Sequence, residues 1–312
     1  MSDPHERWKD YDKDHCWQYQ IREDNLREDL EDLPPWVDYK ELSTKDFSFE
    51  YVDKTEKEKC EEVRDFIKKH EWLGKLPNRP TQRFTARLKE GNILAGVIIM
   101  AVPNTFSHLL GRENSDLEKL ISRGACISWS PKNLGSWLIM KSIRWTVQNT
   151  AFRYFTAYSD PEAKELGTLY QACNFFYLGK GAGVTRQYFD PNNKKQGWFS
   201  GREFRKKSKY YRYAAEIGIS KDQWSKWMKK YSPDWDKMPS GIAICSTSSI
   251  KEKIKEREKA YRESCQVREV VSKHKYVYIL GTSKKETKKL KQIFKQKNPK
   301  LYNNPYPTNR GE

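Results

Sequence analysis

Chemistry in this chain is concentrated around two residues ten positions apart, Asp160 and Tyr170. A β-type run from Tyr154 to Tyr158 stops at Ser159-Asp160-Pro161, and a charged segment then leads into an amphipathic run carrying Tyr170. A carboxylate held at a strand end by a rigid proline can accept a proton or a hydrogen bond. A phenol, whose proton sits near pKa 10, can supply one. Each has a structural alternative: Asp before Pro often caps a helix start, and Tyr170 can simply pack its ring and leave its hydroxyl at a surface. A third candidate is the turn "SPKNLGSWL", which places Lys132, Asn133, Leu134, Gly135 and Ser136 at a helix N-terminus. Main-chain N–H groups and the helix dipole bind phosphate there; a lone glycine can equally be a helix cap. His70 and Ser122 complete the set, His70 following a helical run where a capping or surface role is the alternative.

The elements that must position these residues are regular from Phe47 onward. "FSFEYV" alternates as a strand should, and "TEKEKCEEVRDFIKKHEWL" is an amphipathic helix with Cys60, Val63, Phe66 and Ile67 on one face. "TQRFTARL" and "ILAGVIIMAVP" are β runs separated by the turn-forming "KEGN". "LISRGACISWS" is another strand, and the helix "NLGSWLIMKSIRWTVQNT" spaces Leu134, Leu138, Ile139, Ile143 and Val147 for burial. The strand 154–158, the helix bearing Tyr170 and a strand "VTRQYFDP" follow. The order β-α-β-β-β-α-β-α-β predicts an α/β fold: a mixed, twisted sheet with helices on both faces, antiparallel at first and then running into two parallel β-α units. Such a sheet binds its ligand where parallel strands end and diverge, which places Asp160, Tyr170, Ser122 and His70 at one cleft.

Charge suggests the partner. The net charge is +17, yet residues 1–50 hold 15 acidic against 7 basic side chains. The chain therefore divides into an acidic N-terminal extension (1–45), a catalytic core (46–215) and a basic, aromatic C-terminal extension (216–312). Six basic residues lie between Arg202 and Arg212, and Lys251–Lys300 holds 17 basic against 6 acidic side chains. A body this basic meets a polyanion, with lysine and arginine displacing counterions from phosphate; solubility alone is the plain alternative. Aromatics among the basic residues suit stacking on unpaired bases. Trp198, Arg202, Arg205, Lys206, Lys207, Tyr210, Tyr211 and Arg212 are the expected clamp. "SKDQWSKWMKKY" reads as a helix, 232–249 as a linker, "KYVYIL" as a strand and "KKETKKLKQIFKQ" as a lysine-faced helix. The six cysteines are scattered without C-x-x-C, and the five histidines form no metal signature. That points to reduced thiols rather than a zinc ribbon or disulfide framework. No apolar stretch is long enough for a membrane span and no signal peptide is evident, so the expectation is a soluble, cytoplasmic protein.

The strand order, a phosphate-type loop after the fourth strand and a Tyr in the helix after the fifth resemble the GNAT acyltransferase fold. More specifically, Ala157-Tyr158-Ser159-Asp160-Pro161 followed by Gly167-Thr168-Leu169-Tyr170-Gln171-Ala172 and Asn174-Phe175 resembles the Mom-type DNA-modification proteins of phages, a divergent GNAT branch. "HEWLGKLP", Leu120 to Arg123, "GWFSGREF" and "KHKYVYILG" share the likeness, which covers roughly residues 60–285. The chain departs from the pattern in its loop, where only Gly135 matches, in Asn174 where Gly is usual, in "EAKE" where Gly-His is frequent, and in its lysine-rich C-terminus.

The resemblance implies a GNAT-like fold and a transferase that attaches a carbamoylmethyl-like, acyl-derived group to the exocyclic amine of adenine in DNA. It implies acyl-coenzyme A (acetyl-CoA) held at Lys132–Ser136, Asp160 accepting the amine's proton and Tyr170 protonating a departing thiolate; iron is a further cofactor proposed for the family. The alternatives are acylation of another amine, whether a modified pyrimidine, an RNA base or a protein lysine, and a GNAT scaffold that only binds nucleic acid.

Overall fold

The computed structural model describes residues 15–77, 79–182, 186–223, 225 and 248–308. The chain forms two compact units, residues 1–183 with 272–312, and residues 184–271. No described helix is long and apolar enough to cross a membrane.

The first unit is built on a seven-stranded sheet. Its elements along the chain are helix α1 (Trp17–Glu31), β1 (Phe47–Val52), α2 (Lys57–His70), β2 (Pro80–Leu88), β3 (Ile93–Ala101), β4 (Glu118–Cys126), α3 (Leu134–Asn149), β5 (Tyr154–Ser159), the short α4 (Thr168–Ala172) and β6 (Phe176–Ala182). The chain returns to this unit with β10 (Lys273–Ile279) and α7 (Lys284–Lys297). The strand order is β1-β2-β3-β4-β5-β10-β6. All neighbours are antiparallel except β4 and β5.

Strand alternation shows that both faces are covered. Tyr154 on β5 and Val277 and Ile279 on β10 pack with Leu290 and Phe294 of α7. Phe155, Ala157 and Tyr276, the alternate residues, join the main core with Leu138, Ile139 and Ile143 of α3. Helix α2 buries Val63, Phe66, Ile67 and His70, the spacing of one helical face. Helix α3 also buries Ser142 and Thr146, whose hydroxyls donate to the carbonyls of Leu138 and Ser142 at 2.8 Å, so neither enters the core unsatisfied.

Three expectations need correction. Among the described residues only β4 and β5 pair in parallel, because β10, drawn from the segment expected to be an extension, inserts between β5 and β6. The strand expected over "VTRQYFDP" is β7 (Arg186–Phe189) of the other unit, and the aromatic run after Tyr170 leaves the helix at once to form β6. The boundary expected at 215/216 is not where the compact units divide.

The described part of the acidic arm is docked rather than free, through α1. Asn25 Nδ2 donates to the Lys69 carbonyl (2.9 Å), and Arg22 donates to the Ser128 carbonyl (2.8 Å). Asp29, fully buried, accepts from the Ser128 amide (3.1 Å) and pairs with Lys69 (2.9 Å), while its carbonyl accepts from the Trp129 indole (2.9 Å). Buried carboxylates with several partners leave uncompensated groups when removed. Asp29→Ala is therefore expected to lower stability by about 2–4 kcal/mol in urea unfolding.

The second unit is a three-stranded sheet in the order β8-β7-β9, with β8 Phe199–Ser200 and β9 Gln266–Glu269. Helices α5 (Lys207–Glu216) and α6 (Ser248–Glu263) accompany it. Its core is Phe199, Phe204 and Cys265, packed by Tyr188 and Tyr261. Of the expected linker at 232–249, residues 232–247 lie outside the described residues, as does most of the helix before it, and 248–249 open α6.

Candidate active site

The cleft lies wholly within the first unit and begins where β4 and β5 part. They pair only through Glu118–Leu120 and Tyr154–Thr156. Beyond that, β4 continues along β3 and β5 continues along β10. The register of β4 against β3 skips from Ile121 to Arg123, so Ser122 is a bulged residue at the edge of the opening. A bulge takes a residue out of the regular ladder and re-aims its backbone groups.

The other edge is the turn after β5. Asp160 Oδ1 accepts from the Glu162 amide (3.1 Å), as a cap does, with Pro161 opening a 3-10 turn. Lys164 adopts a left-handed conformation (φ 57°), which reverses the chain. Glu165 is thereby returned to the strand end, where its Oε2 accepts from the Asp160 amide (3.1 Å). Lys273 of β10 pairs with Asp160 Oδ2 at 2.7 Å. Gly167 (φ 68°) then starts α4; a Cβ there would lie 2.6 Å from the Tyr276 ring, so the position takes no side chain. The Tyr276 hydroxyl donates to the Leu166 carbonyl. Tyr170 stands with its ring centroid 5.4 Å from those of both Phe175 and Tyr276.

A third element closes the group. Glu71 caps the C-terminus of α2, is only 7% exposed, and accepts from the Gly74 amide (2.8 Å). Arg123 lies 3.8 Å from it and donates to the Lys75 carbonyl (2.8 Å).

Electrostatics ties these residues together. Burial pushes the Glu165 carboxyl up to about 7; the nearby Glu71 and Asp160 carboxylates push the same way, and the Asp160 amide and Lys273 oppose them. Burial likewise pushes Glu71 up to about 7, against Arg123, the Gly74 and Leu73 amides and Lys273. The Tyr170 phenol is raised well above its ordinary value, first by burial and then by Glu165 and Glu71. A carboxyl near 7 is poised as a base at neutral pH.

Asp160 and Tyr170 thus meet around Glu165, which neither the motif nor the spacing singles out. Asp160 itself is occupied as a turn cap and an ion-pair partner. His70 turns the other way: it is buried, its Nδ1 lies 3.5 Å from Asp29, and its ring packs on Phe66. Glu71, Glu165, Arg123 and Lys273 all sit inside stretches already marked by the resemblance, or by the departure from it at "EAKE".

The loop before α3 divides by role. Leu134 is a core residue whose amide donates to Pro131. Gly135 makes room for Leu169, whose methyl lies 3.1 Å from where a Cβ would be. Lys132 and Asn133 are exposed, and Asn133 forms no side-chain cap. The amides of Gly135 and Ser136 are therefore among the donors a helix start leaves without intrahelical acceptors. That donor set, with Lys132 beside it, fits a pyrophosphate. Among the described residues, no three His, Cys, Asp or Glu side chains come together to hold a metal ion.

The expected clamp on α5 is rearranged. Tyr210 is buried, its hydroxyl donating to Glu258 at 2.9 Å, and Arg212 stacks on Tyr261 (5.0 Å) and pairs with Glu216 (3.6 Å). Lys206 pairs with Glu203. Arg202, Tyr211 and Trp198 are exposed. The side chains of Arg205 and Lys207 lie outside the described residues.

The sequence model of the Mom protein family matches residues 54–232, more than half of the chain. A comparison with curated proteins finds no match. Among solved structures, the ribosomal-protein-S5-alanine acetyltransferase from Vibrio fischeri superposes with a TM-score of 0.34 at 10% identity, over 45% of this chain and 85% of that one. A protein assigned as a phosphinothricin N-acetyltransferase gives 0.30 at 17% identity, over 44% and 87%. At such scores neither likeness bears on what the chain does.

Proposed function

Because the chain belongs to the Mom protein family, we propose that it is a transferase that places a small acyl-derived group on the exocyclic amine of adenine in DNA. The observation that carries this reading is the placement of Glu165: a half-buried carboxyl brought back to the end of β5, where β4 and β5 diverge, within electrostatic reach of Tyr170, Glu71 and Asp160.

Adenine's exocyclic amine is a weak nucleophile because its lone pair is delocalised into the ring, so positioning must supply much of the acceleration. Glu165 would accept the amine proton as the nitrogen bonds the acyl carbonyl carbon and the carbon–sulfur bond breaks, leaving an N-acyl adenine and a free thiol. Arg123 keeps Glu71 paired, which leaves Glu165 the less compensated base. The bulge at Ser122 offers main-chain groups at the cleft edge, where a donor can stabilise charge developing on a carbonyl oxygen. The Gly135 and Ser136 amides and Lys132 would hold the pyrophosphate of an acyl-coenzyme A, which would supply the activated group. Tyr170 then has a role narrower than full protonation. A thiol's ordinary pKa is roughly 8.5, and the phenol is raised far above that, so complete proton transfer is uphill. Tyr170 stabilises the departing sulfur by donating a hydrogen bond. Tyr170→Phe should slow turnover about 10- to 100-fold, the worth of one hydrogen bond to a charged group, with DNA affinity unchanged in a filter-binding assay. A base paired in a duplex must leave the stack to enter such a cleft, at a few kcal/mol.

Digesting DNA from cells that express the protein and weighing the nucleosides tests the proposal. A mass-shifted deoxyadenosine is expected. A shift on a pyrimidine or on protein instead moves the acceptor, and unmodified nucleosides alongside tight, salt-sensitive DNA binding would leave only a binding protein.

A further inference from the structure

We propose that the face of the second unit's sheet that carries Trp198 and Arg268 is a stacking site for unpaired bases of single-stranded DNA. The proposal rests on the reading of DNA as the substrate and concerns a surface outside the cleft.

The two faces of this sheet differ in kind. Tyr188 and Phe199, paired across β7 and β8, point into the core with Phe204 and Tyr261. The alternate residues form the other face: Gln187 pairs with Arg268 on one side and Ser200 on the other, and Phe189 follows on β7. Trp198, two residues before Ser200, lies on this face with its ring centroid 5.5 Å from that of Phe189, and keeps 39% of its surface in solvent. The Arg268 guanidinium stands 4.8 Å from the indole centroid. Its Nε and Nη2 both donate to Gln187 Oε1, at 2.9 and 2.6 Å. The cation is therefore fixed over the ring before any ligand arrives.

The exposed indole with a guanidinium held against it makes a flat, cationic surface. Such a surface suits a base plane next to a phosphate. Charge selects the polyanion: residues 184–271 hold 21 lysines and arginines against 11 acidic side chains. Geometry selects the single strand, because a duplex buries the base faces that an indole would cover. The clamp expected on α5 is a poorer candidate, since Tyr210 and Arg212 are already committed to Glu258, Glu216 and Tyr261.

The test uses the full chain and three labelled probes of one sequence: a short single-stranded oligodeoxynucleotide, its duplex, and a strand of abasic sites. By fluorescence anisotropy the intact single strand should bind tightest. Trp198→Ala should weaken it about 5- to 100-fold without changing the slope of affinity against salt, which reports phosphate contacts. Trp198→Phe should keep most of the affinity, and a cooperative melt of each variant shows that it is folded. Equal binding of the abasic strand, or Trp198→Ala binding like the parent, overturns the proposal. Nucleoside masses measured in parallel separate the two readings. Modified DNA with no effect of Trp198 sinks only the stacking site, whereas a Trp198 effect without modified DNA supports the site and sinks only the transferase.

Discussion

Glu165→Gln is expected to reduce DNA modification by about 10²–10⁴-fold, the usual worth of a general base, while DNA affinity stays within a factor of two of the parent (roughly 0.4 kcal/mol). Glutamine can still accept the Asp160 amide, so the turn keeps its hydrogen bond and loses only the base. The parent's rate should rise with pH through about 7, where Glu165 ionises, and the residual rate of the variant should lack that limb. Stability gives an independent reading. Glu165 has its folded pKa raised from 4.5 to about 7, so the folded state binds the proton more tightly than the unfolded state. The stabilising protonated form is fully present below about 4.5, and stability falls as pH rises from there through 7. Glu165→Gln should therefore raise the melting temperature at pH 8, by an amount worth about 1–3 kcal/mol, and leave it nearly unchanged at pH 4. Equal melting shifts at both pH values, with activity lost, would mark a merely structural residue. Asp160→Asn should cost less activity, because Asp160 is engaged by the Glu162 amide and Lys273.

Ending the chain at Val271 should abolish cooperative folding. Residues 272–312 supply β10, which lines up with β5 from His274 to Ile279 and with β6 on its other side. They also bury Tyr276, Val277, Ile279, Leu290 and Phe294. Five such side chains, at roughly 1.5–3 kcal/mol each, match the whole net stability of an ordinary domain, roughly 5–15 kcal/mol. Near-UV circular dichroism and thermal melting of the truncated chain check this. A sharp transition like the parent's would mean that the C-terminal region is the appendage its charge suggests.

Much of the architecture is legible in the residues because periodicity survives tertiary packing. The strands from Phe47, Pro80, Ile93, Glu118 and Tyr154 and the helices α2 and α3 fall where alternation and helical spacing put them. Pairing is another matter. Nothing local in "KHKYVYILG" says that it lies between β5 and β6, since those contacts join positions far apart in the chain, such as Lys273 with Ala182 and Ile279 with Tyr154, and are decided by which edges remain unpaired. The lysines around it disguise a central strand as a basic tail. Likewise α1 looks solvated because Asp29 and Arg22 are charged, yet both find partners on α2 and the Ser128–Ser130 loop. At the site, Tyr170 and Asp160 are visible through their motif. Glu165 becomes visible only once the left-handed Lys164 turns it back on the strand end, and Glu71 only once α2 is docked beside Arg123.

The central claim is that Glu165 carries its proton near neutrality, and carboxyl-carbon NMR tests it most directly. Titrating the labelled parent and subtracting the spectra of Glu165→Gln should isolate one carboxyl whose midpoint lies near 7, broadened by its coupling to Glu71. A midpoint at the ordinary glutamate value of about 4.3 would contradict the account, since Glu165 would then be a surface carboxylate with no share in taking a proton from the amine.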